Sequence, residues 1–164
     1  MRQSNDKLLR CLIDGGVDFV IVGGIAAIAH GALRTTLDLD IVAAFNRDNM
    51  DRLLRALRDF HPRNSARPDL GELRATPEEL AGYRNLYLTT DVGELDVLGE
   101  LPPVGGYAEA AASAIQVELF GKRCAILGLD HLIAIKEFLG RPKDQEALRE
   151  LRAIRERLAA KPVS

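Results

Sequence analysis

The chain has 164 residues and a mass of 18.0 kDa, with 47% hydrophobic and 28% charged residues and a formal charge of -2. This balance supports a real apolar core and excludes a collagen-like, mucin-like or wholly disordered polymer. It also supplies no overall basic field toward nucleic acid or anionic membrane, although a local basic groove stays open.

The two cysteines, Cys11 and Cys124, cannot build a disulfide framework or a Cys-rich zinc site, and their apolar neighbours mark them as buried thiols. No signal-peptide core and no apolar run of membrane-spanning length is present, so a cytoplasmic protein without membrane contact is expected. A single domain over 1–164 follows from the length, its core at about 17–128 and a helical C-terminal part at about 129–160.

Ser4 or Asn5 can cap a first helix along Leu8, Leu9, Leu12 and Ile13, stopped by Gly15-Gly16. Val17 to Val22 reads as a buried strand, ended by Gly23-Gly24, and the Ala-rich stretch 25–33 as a short helix. Leu37 to Phe45 is a second strand and Arg47 to Phe60 an amphipathic helix along Met50, Leu53, Leu54 and Leu57. Residues 61–74, with Pro62, Pro68 and Gly71, read as a loop. Thr76-Pro77-Glu78-Glu79 then carries a helix start.

Strands at Asn85–Thr90 and Glu94–Leu98 flank the Asp91-Val92-Gly93 turn. Pro102-Pro103 and Gly105-Gly106 punctuate before a short helix at 107–113, and Ile115–Phe120 with Arg123–Leu127 forms a hairpin. Helices at Leu129–Leu139 and, after the break at Gly140-Arg141-Pro142, on to about Ala160 close the chain. The pattern is an α/β (α+β) core followed by a helical part.

The chemistry concentrates at Val22-Gly23-Gly24, followed after thirteen residues by Asp38-Leu39-Asp40-Ile41. Alternation along a strand puts Asp38 and Asp40 on one face and Leu37, Leu39 and Ile41 in the core. Two like charges there need donors or a cation between them, and Mg²⁺ or Mn²⁺ suits such an oxygen pair; the plain alternative is a solvated strand edge. Glu94-Leu95-Asp96-Val97 presents another acid among apolar residues, so Asp96 can join the pair from a neighbouring strand, with Glu94 as the substitute. Gly23-Gly24 ends a strand and opens a helix, where bare backbone can approach phosphate. Neither a P-loop nor a Rossmann fingerprint is present.

These residues resemble the nucleotidyltransferase superfamily of polymerase-β-like fold. The likeness is nearest to its minimal and abortive-infection (AbiEii-type) members, through Gly-Gly-x-Ala at 23–26, Arg34-x-Thr36-x-Asp38-x-Asp40 and the tail Lys136…Arg141-x-Lys143-Asp144. The resemblance spans roughly 17–144. It implies a mixed β-sheet core with flanking helices and transfer of a nucleoside monophosphate from an NTP to an acceptor hydroxyl. Asp38 and Asp40 match the paired metal ligands and Asp96 the third acid, which serves as ligand and base. It further implies a toxin-like enzyme acting on tRNA or protein, with antibiotic modification as a second acceptor class. The rival expectation is a non-catalytic or regulatory nucleotide-binding partner, antitoxin-like.

Lys136 sits within the stripe Leu129, Leu132, Ile133 and Leu139, so it must snorkel or find an anion, either a carboxylate or a triphosphate. Arg34 either neutralises phosphate or pairs with an Asp, and Thr36 shares the strand parity of Asp38 and reaches toward nucleotide. Arg141 is a further phosphate candidate at a helix junction, where solvated charge is the default. His30, His61 and His131 are too scattered for zinc. The alternating Glu and Arg of 146–161 read as an ion-paired face.

Overall fold

The computed structural model describes residues 4–33 and 38–160. Its first helix, α1 (Asn5–Asp14), buries Leu8, Leu9 and Leu12. Ser4 occupies the N-cap position, but its hydroxyl donates to the Asp6 carboxylate at 2.6 Å and does not cap the helix backbone. Strand β1 (Phe19–Val22) is buried at every position and passes directly into α2 (Gly23–Ala29). The helix expected at 25–33 therefore begins two residues earlier. Gly23 takes φ +65 and turns the chain without a loop, while Gly31 at φ +113 follows the helix end.

Strand β2 (Leu39–Ala43) precedes α3 (Arg47–Leu57), whose N-cap Asn46 accepts from the Asn49 amide at 2.8 Å. The last three residues of the helix expected to Phe60 tighten into a 3₁₀ turn. Inside α3, the fully buried Asn49 donates to the carbonyls of Asp18 and Ala44 and accepts from the Asp18 amide, so its polar atoms are paired.

The segment read as a loop contains a two-residue edge strand, β3 (Arg63–Asn64), and a 3₁₀ turn at Pro68–Leu70. Two residues carry no periodicity for a sequence reading to detect. Helix α4 (Pro77–Ala81) starts as its sequence signals require, with the Thr76 side chain accepting from the Glu79 amide. Strands β4 (Asn85–Thr90) and β5 (Gly93–Leu98) form the hairpin around Asp91-Val92. The Pro-Pro and Gly-Gly punctuation is a small ribbon of β6 (Glu100–Leu101) and β7 (Gly105–Gly106). Helix α5 (Tyr107–Ala112), strands β8 (Ile115–Leu119) and β9 (Lys122–Ile126), and helices α6 (Leu129–Leu139) and α7 (Gln145–Ala160) complete the chain.

Seven strands form one mixed sheet in the order β3-β4-β5-β2-β1-β9-β8. The β1–β2 pair is antiparallel, whereas β2–β5 and β1–β9 are parallel. Strict alternation in β5 buries Gly93, Leu95 and Val97 and leaves Glu94, Asp96 and Leu98 half-buried on the opposite face. Leu86 and Leu88 of β4 join the buried side, and one continuous core links these strands to α1, α3, α6 and α7. The charged face of α7 is ion-paired in part across to α6, through Arg152–Glu137 and Arg155–Asp130. Among the described residues no helix is long and apolar enough to cross a membrane.

Candidate active site

The sheet register builds the site. Val22, the last residue of β1, lies opposite Asp40, and Asp40 lies opposite Asp96 on the parallel neighbour. Residues in register project from the same face, so Asp40 and Asp96 stand side by side on adjacent central strands. Asp38 falls one residue before β2, exposed, and not inside the strand as its spacing predicts. Its charge still reaches both other acids.

The electrostatics of the pair are unfavourable. Burial, then the charges of Asp96 and Asp38, push the Asp40 carboxyl up to about 6, while Lys136 pulls it back in part. Burial, with Asp38 and Glu94, also raises Asp96. Side by side, the two carboxyls therefore hold a proton more readily than an isolated carboxylate does. A hard cation would relieve the repulsion equally well, because both donors are carboxylate oxygens on strands that hold them together. The residues present therefore fit Mg²⁺ or Mn²⁺. Among the described residues, however, no three His, Cys, Asp or Glu side chains already converge as a metal cluster.

Beside Asp40, the backbone comes unusually close. A Cβ built on Gly23 would overlap the Asp40 carboxylate, so only glycine permits this approach. Gly23, Gly24, Asp40 and Lys136 share one cavity of about 110 Å³, walled by Leu98, Leu101, Leu132 and Ile135. Four of the residues singled out from the sequence thus meet at one place, from β1–α2, β2 and α6.

Lys136 has found the carboxylate partner. Its Nζ lies 3.1 Å from Asp144 Oδ1, and Arg141 Nε lies 2.6 Å from Asp144 Oδ2. Asp144 is only 2% exposed, and the bonds from Arg141 and Lys136 hold its carboxyl far below the usual range. Arg141 is accordingly committed to Asp144 and does not line the cavity with Lys136. The role of Asp144 as anchor of both cations depends on the 3₁₀ turn Pro142–Asp144 folding it back under α6.

Glu94 accepts from the hydroxyls of Thr89 and Ser65, and its charge still adds to the repulsion at Asp96. Arg34 and Thr36 lie outside the described residues. One residue had no sequence signal: Tyr87, directly opposite Asp96 on β4 and 45% exposed.

No protein-family model matches the sequence, and no match was found among curated proteins. Solved structures do match. The lincosamide antibiotic adenylyltransferase LnuA, solved with lincomycin bound, aligns with a TM-score of 0.57 over 94% of this chain and 99% of its own, at 13% identity. A Thermotoga maritima protein described as a nucleotidyltransferase candidate aligns with a TM-score of 0.54 at 18% identity, over 87% of this chain and 86% of its own. The mixed seven-stranded sheet with its flanking helices is therefore a nucleotidyltransferase fold.

Proposed function

We propose that the chain is a metal-dependent nucleotidyltransferase that moves a nucleoside monophosphate from an NTP to an acceptor hydroxyl. The observation that carries this reading is the meeting of Gly23, Gly24, Asp40 and Lys136 at one cavity, with Asp96 in register beside Asp40. The side-chain-free Gly23-Gly24 backbone admits the triphosphate close to Asp40, and Lys136 offsets its charge. Asp38, Asp40 and Asp96 would hold Mg²⁺ or Mn²⁺, which when bound polarises the phosphoryl group. Asp96, farther from the glycines than Asp40, takes the proton of the acceptor hydroxyl. Arg34 and Thr36 are the further candidates for the phosphate side, and Arg141 joins them only by leaving Asp144.

The acceptor classes that accompany this reading are tRNA, a partner protein and a small molecule, the last in keeping with the lincosamide named for LnuA. A place in a toxin–antitoxin pair of AbiEii type belongs to the first two. A second reading, a regulatory partner that binds nucleotide without transferring it, is favoured by Asp144, which already occupies both Lys136 and Arg141.

The two separate on incubation with α-³²P-labelled NTPs and Mg²⁺ or Mn²⁺, with RNA, protein or small-molecule fractions as acceptors. Transfer by the wild type that is lost in Asp40→Ala supports the enzyme. Nucleotide binding without transfer to any fraction supports the regulatory partner, and no binding at all removes both.

A further inference from the structure

The register that aligns the acids does not stop at Asp96. Across the sheet the row runs Val22, Asp40, Asp96, Tyr87, one residue from each of β1, β2, β5 and β4. On the reading above, the glycines and Lys136 place the triphosphate at the β1 side of Asp40. The acceptor hydroxyl must then reach Asp96 from the β4 side, and Tyr87 is the side chain standing there. Strands lie about 4.8 Å apart, so its ring begins within one strand spacing of Asp96. The face farther along toward β3 is closed by the Ser65–Thr89–Glu94 network.

In the other direction the face is open. Asn85, two residues from Tyr87 and paired with Leu98, shares its side of the sheet and lines a cleft of about 560 Å³. Phe45, Tyr83, Arg84, Glu100 and Glu109 line the same cleft. Two residues along a strand span about 7 Å, so a molecule seated in the cleft can extend past Tyr87 to Asp96. A cleft of this size suits a drug-sized compound.

We propose that this cleft and Tyr87 bind the acceptor, and that the acceptor is a small ring-bearing alcohol. The inference rests on the nucleotidyltransferase reading. Its chemistry follows from the lining: two aromatic rings and the exposed Tyr87 offer faces for a sugar or other ring to pack against. The charged lining is one arginine against two glutamates, the wrong balance for a phosphodiester backbone. Tyr87 positions the acceptor. The acceptor's own hydroxyl oxygen attacks the α-phosphorus, forming the new O–P bond as the Pα–O bond to the β-phosphate breaks. Pyrophosphate leaves with that electron pair, and the hydroxyl proton passes to Asp96.

The test supplies the four α-³²P-labelled NTPs and Mn²⁺ with an expression-host extract divided into metabolites below about 1 kDa, RNA and protein. In parallel, calorimetry measures binding of non-hydrolysable analogues of the four NTPs. The expected result is label in the metabolite fraction, reduced about tenfold or more in Tyr87→Ala and in the cleft-filling Asn85→Trp. Tyr87→Phe should restore transfer, and analogue affinity should be the same in all four proteins. For the labelled compound once isolated, KM should rise in Tyr87→Ala more than kcat falls. Label on RNA or protein overturns the proposal, as does a Tyr87→Ala enzyme equal to wild type. Analogue binding without any labelling overturns it too while leaving the nucleotide site standing, whereas a wild type that binds no analogue removes the reading beneath it.

Discussion

Two carboxylates flank Lys136, and the fold treats them in opposite ways. Asp144 is almost wholly buried yet meets two cations, and its carboxyl is held far down. Asp40 is half-buried, sees Lys136 only as a weaker attraction, faces Asp96 and Asp38, and is pushed up to about 6. Both are on elements placed by the core, so neither difference comes from local disorder. A satisfied charge is scaffold: it fixes the junction of α6 and α7 and gains nothing from a ligand. An unsatisfied charge is where a ligand adds the most, because a cation at Asp40 and Asp96 removes a repulsion the folded chain otherwise relieves with a proton.

The largest effect expected from this contrast is on transfer. Asp40→Asn or Asp96→Asn should lower the rate about 10³-fold or more, measured as label moved per unit time. Loss of a charge at this pair should also change stability in the unusual direction. The folded value of Asp40 lies above its unfolded value, so the folded state holds the proton more tightly. Its stability is full at low pH and falls as pH rises from about 4 to about 6, by about 3 kcal/mol.

Asp40→Asn should therefore unfold at higher denaturant than wild type at pH 7 without metal, and the gap should close at pH 4. Asp144 has the opposite sign. Its folded value is depressed, so its contribution is present above the unfolded value and is lost as pH falls through the folded one. Asp144→Asn should be the less stable protein at pH 7 and lose its deficit on acidification. Parallel slopes for the two variants would erase the contrast.

Lys136 joins the two regions, which Lys136→Met can sharpen. Without the ammonium, the Asp40 carboxyl should titrate still higher, visible by NMR, because the one attraction opposing its neighbours has gone. NTP affinity should fall about 10- to 100-fold, the loss of a charged hydrogen bond of roughly 1.5–3 kcal/mol. An unmoved Asp40 titration would show that Lys136 belongs to Asp144 alone.

How much of this could be read from residues alone divides along the same line. The acids were legible because strand alternation is periodic: Asp40 and Asp96 each stand between buried apolar neighbours, while the parallel β2–β5 register is what sets them side by side. The long helices and the β4–β5 and β8–β9 hairpins were legible for the same reason. What escaped was set by contacts distant in sequence. Asp144 is a buried anchor only because a 3₁₀ turn folds it against α6, and Tyr87 faces Asp96 only through the β4–β5 register. Strands β3, β6 and β7 have two residues each, too short for any period, and exist because a neighbouring strand offers its edge. Gly23 reads from the sequence as bare backbone for phosphate; that it also clears space for Asp40 follows only from the pairing of β1 with β2.

That double duty sets the smallest and most discriminating expectation. Gly121, at the tip of the β8–β9 hairpin, has φ +77 and nothing within 4 Å of a built Cβ. Gly121→Ala should therefore cost only the strain of a left-handed alanine, about 1 kcal/mol. Gly23 has a similar φ of +65, but its Cβ would overlap the Asp40 carboxylate. Gly23→Ala should cost the same strain plus the displacement of Asp40, and denaturant unfolding of the two variants isolates the second contribution by difference. Displacing Asp40 from beside Asp96 should also weaken Mn²⁺ binding in Gly23→Ala and leave it unchanged in Gly121→Ala. Equal costs in the two variants would mean that Asp40 moves aside freely, and the close approach of backbone to acid would then not be what holds the pair in place.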